Sequence, residues 1–255
     1  MEATKGARRG AGRAVSLLLM ACGIAAMAFG LLTLGSERAG VERYDELARR
    51  SDPAPEATAG QGAGGAGRDW DALRRENPDV AAWVSVAGTG IDYPVMRPGE
   101  DKPDGYYLSH DMWGRSSSVG TPYLQPGSEA DGAHSLVYGH HMGMTGRMFS
   151  PVSQTYRQTD FDRVGDLTWE TPSGTTTLHK AFAMSVDMAY APIQTYEFAD
   201  EQGLREWLGG LSADATAFAD GWEGLVSGAH KVVTTVTCSS LLSGQRPRTL
   251  TVFVA

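Results

Sequence analysis

A chain of 255 residues has room for one sizeable domain plus accessory segments. Its formal net charge of −8 is uneven: residues 1–13 carry four basic side chains against one acidic, and the remainder holds 18 basic against 29 acidic. An acidic body with a basic tip lacks the basic face that nucleic acid requires, so no nucleic-acid partner is expected and the tip reads as a membrane-orienting signal.

From Ala14 to Gly35 no charged residue occurs in 22 positions, AVSLLLMACGIAAMAFGLLTLG. A helix of about 20 apolar residues crosses the hydrocarbon core, so residues 14–35 are expected to form a transmembrane anchor. Basic charge before it and the mixed Glu37-Arg38 after it place residues 1–13 in the cytoplasm and the rest on the outer face of the cell membrane. A cleavable signal peptide is the alternative reading, although its apolar region usually runs about 7–15 residues. Leu19-Met20-Ala21-Cys22 fits a lipobox loosely, but Cys22 lies within the apolar span and not at its end.

Residues 36–67 read as an extracytoplasmic stalk and linker. The first part, SERAGVERYDELARR, has the pattern of a charged helix. The second, residues 51–67 (SDPAPEATAGQGAGGAG), is almost free of large apolar groups and reads as a flexible tether. Gly60-Gln61-Gly62-Ala63-Gly64-Gly65 matches a dinucleotide-binding pattern by letter, but no strand precedes it and no helix follows, so that reading fails.

The folded domain is expected over residues 68–255. Arg68–Asn77 predicts a short helix ending before Pro78. Strands follow at 82–87, 121–125 and 135–140, then a hairpin of 166–170 with 175–188 around Thr171-Pro172-Ser173-Gly174, then strands at 232–238 and 249–255. Residues 201–209 and 213–221 have helical patterns. Sequential strands without long helical crossovers favour an antiparallel barrel or sandwich.

Only two cysteines occur, and with Cys22 in the anchor the thiol of Cys238 has no intramolecular partner. An exported domain with one unpaired thiol keeps it either buried or for its reactivity. Cys238 ends the β-branched run Thr234-Thr235-Val236-Thr237. A thiol nucleophile needs a base or cation beside it. Of six histidines, His140 stands out because Tyr138-Gly139-His140-His141 ends a strand and opens a loop. Arg246 and Arg248 precede the last strand, and either guanidinium fork is suited to a developing oxyanion. No Cys-x-x-Cys, His-x-x-x-His or EF-hand spacing is present, so neither a metal nor a cofactor is expected.

Taken together these segments resemble the class B sortases. Thr234-x-x-Thr237-Cys238 resembles the family's Thr-Leu-x-Thr-Cys signature, with Thr235 in place of leucine, and Tyr138-Gly139-His140 resembles its Tyr-Gly-His. Asn77-Pro78-Asp79-Val80-Ala81-Ala82-Trp83, Thr89-Gly90-Ile91-Asp92-Tyr93-Pro94-Val95, Tyr106-Tyr107-Leu108 and Gly120-Thr121-Pro122 continue the likeness in order. Residues 143–149 resemble the family's post-histidine helix, and the helical insertion at about 197–222 resembles the one before its cysteine strand.

The resemblance implies a mostly β fold with helical insertions: an eight-stranded sortase-like barrel with N-terminal helices and a helix before the cysteine strand, preceded by one transmembrane helix. It also implies a cysteine transpeptidase with Cys238 as nucleophile, His140 as acid–base group and Arg248, ahead of Arg246, as the arginine. Thr237, Ser239, Arg246 and His141 are expected to bind substrate. Expected partners are exported proteins bearing a C-terminal sorting signal and an amine acceptor on a peptidoglycan precursor or a pilin. A cysteine peptidase using water as acceptor and a non-catalytic surface β-domain are the rival readings.

Overall fold

The structure is a computed structural model that describes residues 3–52, 67–143, 145–238 and 246–255. Most of the expected tether and Ser239 lie outside the described residues. The chain divides into two units, Met1–Ala39 and Gly40–Ala255.

Helix α1 runs Ala3–Ser51. In the first unit its leucines, alanines and methionines favour helix, and the stretch from Leu17 exposes Leu17, Leu18, Leu19, Met20, Ile24 and Phe29. It is long and apolar enough to cross a membrane. Within the second unit, residues 40–51 of the same helix lie on the barrel, with Tyr44 and Leu47 each 1% exposed.

The barrel is built from β1 (Val80–Val86), β2 (Ile91–Met96), β3 (Tyr123–Leu124), β4 (His134–Tyr138), β7 (Leu167–Thr171), β8 (Gly174–Asp187), β10 (Val232–Cys238) and β11 (Pro247–Val254). These eight follow the order β11-β10-β4-β3-β2-β1-β7-β8, and pairing of β11 with β8 from Pro247↔Asp187 to Val254↔His179 closes the ring. The eight-stranded barrel expected from the sequence is therefore what forms. The short β5 (His141–Met142) and β6 (Arg147–Met148) make a separate hairpin, and β9 (Ala217–Phe218) adds to the edge of β8. The remaining helices are α2 (Trp70–Glu76), α3 (Gln158–Phe161), α4 (Glu201–Ser212) and α5 (Trp222–Gly228).

Three local expectations are corrected. Among the described residues of 143–149 no post-histidine helix forms. The chain turns back as the β5–β6 hairpin, with the Phe149 amide on the His140 carbonyl (2.9 Å), and then makes a 3-10 turn at Ser150–Val152. Residues 213–221 are not helical either: β9 occupies part of the segment, and α5 starts only after Gly221, which takes the left-handed backbone (φ +69°). Strand β2 is absent from the expected set, and it carries Pro94. Met96 donates its amide to Pro122 O on the β3 side. Two residues earlier the Pro94 nitrogen faces that same edge, where β3, paired only at Met96, does not reach, so the missing donor costs no ladder bond.

Strand β10 is buried on both faces. Val233 joins the barrel core with Val84, Trp169 and Phe253, while Val232 and Val236 join a second cluster with Leu204, Leu208 and Leu211 of α4 and Val226 of α5. On the α4 side His134 is fully buried, its ring bonded to Thr195 O (2.8 Å) and Thr234 Oγ1 (3.0 Å) and tilted against Trp207. Elsewhere, Arg68 gathers Ser51 Oγ, Asp52, Asp92 and Glu170 at 2.9–3.3 Å and lies 3.9 Å over the Trp83 ring. Removing that guanidinium would leave Asp92 and Glu170 facing each other with no cation between them.

Burial pushes the His134 imidazole down to about 4 from 6.5. Between those values the unfolded chain binds the proton and the folded chain does not, so stability falls as pH drops from 7 toward 4, by about 3 kcal/mol in total. Urea unfolding at pH 7 and pH 4.5 should show this loss in the wild type, with a smaller loss in His134→Gln. Equal pH slopes for the two proteins would contradict the assignment.

Candidate functional site

The site is set by the two neighbours of β10. On one side β4 runs parallel to it, with Tyr138 level with Val236 and the Gly139 amide on Val236 O at 3.0 Å. Two residues further along each chain come His140 and Cys238, so both leave the barrel at the same rim. On the other side β11 runs antiparallel, and Cys238 pairs directly with Arg248. Adjacent strands lie about 4.8 Å apart, and cross-strand partners share a sheet face. Thiol, imidazole and guanidinium are thus brought to one rim by three adjacent chains.

The alternation along β10 sorts its side chains. Cys238 follows the face of Val232, Thr234 and Val236 and is partly exposed, whereas Thr237 follows Val233 and Thr235 into the barrel and is 2% exposed. The Thr237 hydroxyl has no partner among the described residues. Its side chain is packed in the core.

His140 is held by the surrounding backbone. Its Nε2 lies 2.7 Å from Leu108 O. A carbonyl only accepts, so Nε2 carries the proton in this contact and Nδ1 remains the basic nitrogen of the neutral ring. Gly120, at φ +64°, closes over the ring: a Cβ there would lie 3.1 Å from His140 Cδ2 and 2.5 Å from Tyr107 O. Gly139 likewise has no room for a side chain, because a Cβ would meet the Phe149 ring at 2.6 Å. The glycine of Tyr-Gly-His is therefore a packing requirement.

His141 holds the cysteine by its backbone: its Nδ1 lies 3.1 Å from Cys238 O and donates to it. The two adjacent histidines differ, one ring bonded to the Leu108 carbonyl and the other to the Cys238 carbonyl at the end of β10. The two arginines differ as well. Arg246 is exposed and forks onto Asp187 at 2.7 and 2.6 Å, a pairing that holds the Asp187 carboxyl below its ordinary range. Arg248 bonds Pro247 O (3.2 Å), and its charge reaches the phenols of both Tyr123 and Tyr138, which stack at 5.8 Å. Burial raises both phenols, so these tyrosines stay neutral and form an aromatic wall beside the rim. Leu108, 37% exposed, adds an apolar side chain nearby. Tyr123 and Leu108 carry no chemical signal in sequence, because only the fold places them beside Tyr138 and His140.

Among the described residues no group of three or more His, Cys, Asp or Glu is arranged to hold a metal ion. A cavity of about 510 Å³ lined by Asp131, Trp169, His230 and Lys231 lies at the opposite end of β10 from Cys238. The chemistry available at the rim is that of a thiol with a nitrogen base and a fixed cation: nucleophilic attack on a carbonyl, proton transfer, and oxyanion stabilisation.

No protein-family model matches the sequence. The chain is 26% identical over 175 residues to sortase B of Listeria monocytogenes, covering 66% of each chain, and 22% identical over 141 residues to sortase B of Staphylococcus aureus, covering 54% of this chain and 56% of that one. The aligned stretch thus spans about two thirds or less of either curated relative. Among solved structures, a Staphylococcus aureus sortase B–substrate complex superposes with a TM-score of 0.66 at 17% identity, covering 86% of this chain and 97% of that one. A sortase B complexed with triglycine superposes at 0.63 and 17% identity, covering 87% and 95%. These superpositions show the shared barrel. By sequence the chain is similar to two curated class B sortases, and by fold it shares the barrel of solved sortase B structures.

Proposed function

We propose that the chain is a membrane-anchored cysteine transpeptidase that cuts a C-terminal sorting signal of exported proteins and joins the new carboxyl end to an amine. The observation that carries this is the convergence of Cys238, His140 and Arg248 at one barrel rim through the β4–β10 and β10–β11 registers. The Cys238 thiolate attacks the scissile carbonyl, and Arg248 stabilises the resulting oxyanion. Collapse breaks the C–N bond, His140 gives its proton to the leaving amine, and a thioester remains on Cys238. The acceptor amine, losing its proton to His140, then attacks the thioester, forms the new amide and frees the thiolate. The substrate and triglycine complexes of related sortase B structures support a peptide donor and an amine acceptor for this chain. The acceptor chemistry is a primary amine of a cell-wall peptide or a pilin.

The long apolar helix supports a single-pass anchor with residues 1–13 in the cytoplasm and the barrel outside. Arg246, engaged by Asp187, is assigned to holding the β8–β11 edge, and His141 to holding the Cys238 backbone.

Incubation of the chain with a sorting-signal peptide library and triglycine, read by mass spectrometry, should give amine-ligated products. Cys238→Ala should lower that rate by at least about a thousandfold, and wild-type-like cleavage by this variant would overturn the scheme. Products that are carboxylates alone, with the amine present, would instead indicate a peptidase.

The two pairs of neighbours separate by kinetics. His140→Ala should lower kcat/KM by about a hundredfold or more, and His141→Ala by much less. Arg248→Lys, which loses the planar fork, should lower kcat/KM about a hundredfold, with Arg246→Lys within about fivefold of wild type. Equal effects within either pair would contradict the assignments.

A further inference from the structure

Helix α1 sends Tyr44 into the loop that holds the site. Tyr44 is 1% exposed, its ring edge-on to Tyr93 at 5.8 Å and against Trp113 at 5.5 Å. Its hydroxyl donates to Gly120 O at 2.9 Å, lies 2.7 Å from Thr121 Oγ1, and accepts the Met112 amide at 3.1 Å. Burial raises its pKa well above the ordinary value, so it stays a neutral hydroxyl able to do both.

Those three partners belong to the two arms of one loop. The Thr121 amide bonds Tyr107 O at 2.9 Å, and Thr121 Oγ1 bonds His110 O at 3.2 Å, so residues 107–112 and 119–121 are tied together where Tyr44 meets them. Both arms also touch the His140 ring: Leu108 O takes its Nε2 proton, and the Gly120 backbone closes over its Cδ2 edge. The same loop is anchored to α1 by Arg43 on Asp111 (3.4 Å) and by Val119, against which Gly40 lies so closely that a Cβ would come within 3.0 Å.

We propose that Tyr44 is a positioning residue for His140: through the 107–121 loop it holds the Leu108 carbonyl where that carbonyl fixes the Nε2–H tautomer of the imidazole. The proposal rests on the reading of His140 as the acid–base group. It makes residues 40–51 part of the working unit, so a protein trimmed to residues 68–255 keeps Cys238, His140 and Arg248 yet loses the support of the histidine.

The test is Tyr44→Phe in the full chain, purified in detergent. It preserves the ring packing and removes only the hydroxyl. The expected result is a kcat for amine ligation lowered about tenfold, with KM for the sorting peptide within about twofold, because the defect lies in the geometry of the acid–base group. Histidine ¹⁵N spectra should show His140 passing from one Nε2–H tautomer to a mixture. If Tyr44→Phe fails to fold, Thr121→Val removes the facing hydroxyl and carries the same expectation. A folded variant with wild-type kcat and an unchanged His140 ¹⁵N pattern would overturn the proposal. That result beside an inactive Cys238→Ala sinks this inference alone. An active Cys238→Ala sinks the underlying mechanism, and the tautomer spectra still report on the Tyr44–His140 link.

Discussion

Parallel pairing of β4 with β10 is the constraint from which the candidate site follows. A parallel register sends both strands out of the barrel at the same end, so residues that far apart in sequence arrive level with each other. Here His140 and Cys238, 98 positions apart in the chain, each follow by two residues the last level pair, Tyr138 and Val236. Antiparallel β11 then returns beside β10 and sets Arg248 opposite Cys238. Neither placement survives a shift of one residue, because such a slip turns alternate side chains to the other sheet face. The register is pinned from both sides of β10, by the apolar core within the barrel and by the cluster under α4 and α5.

Burying β10 on both faces has a polar consequence. Its threonines lie inside the structure, and the protein meets this unevenly. Thr234 is satisfied by His134, whereas Thr235 and Thr237 have hydroxyls with no partner among the described residues. Burial disfavours the charged form of His134, which ties part of the barrel's stability to pH. The rim works differently: the groups that hold His140, the Leu108 carbonyl and the Gly120 backbone, are main chain and do not titrate.

Much of this was legible in the sequence. Cys238 and His140 stand in short motifs that resemble the family's, Arg248 is preferred to Arg246 only through that resemblance, and the β-branched run before Cys238 declares a strand. Alternation and turn residues such as Thr171-Pro172-Ser173-Gly174 point to an antiparallel barrel or sandwich, and the family resemblance is what implies the eight-stranded barrel. What was not legible depends on contacts between distant segments. Pro94 hides β2, because its tolerance depends on which edge lacks a partner. The alanine-rich run at 213–221 resembles a helix until β8 captures Ala217 and Phe218 as an added strand. Thr237 looks like a site residue by adjacency, but strand alternation sends it into the core. Tyr44 and Arg68 stand in segments read as stalk and helix start, and only the fold shows how many groups each one holds.

The central claim is that Cys238 carries the acyl group of the cleaved substrate. Its most direct test is peptide mapping of the full chain after exposure to an efficiently cleaved sorting peptide with no amine acceptor present. The account predicts an added acyl mass on the peptide containing Cys238 and its release by hydroxylamine. Cleaved product accumulating with no adduct on Cys238, even on rapid quenching, would contradict it.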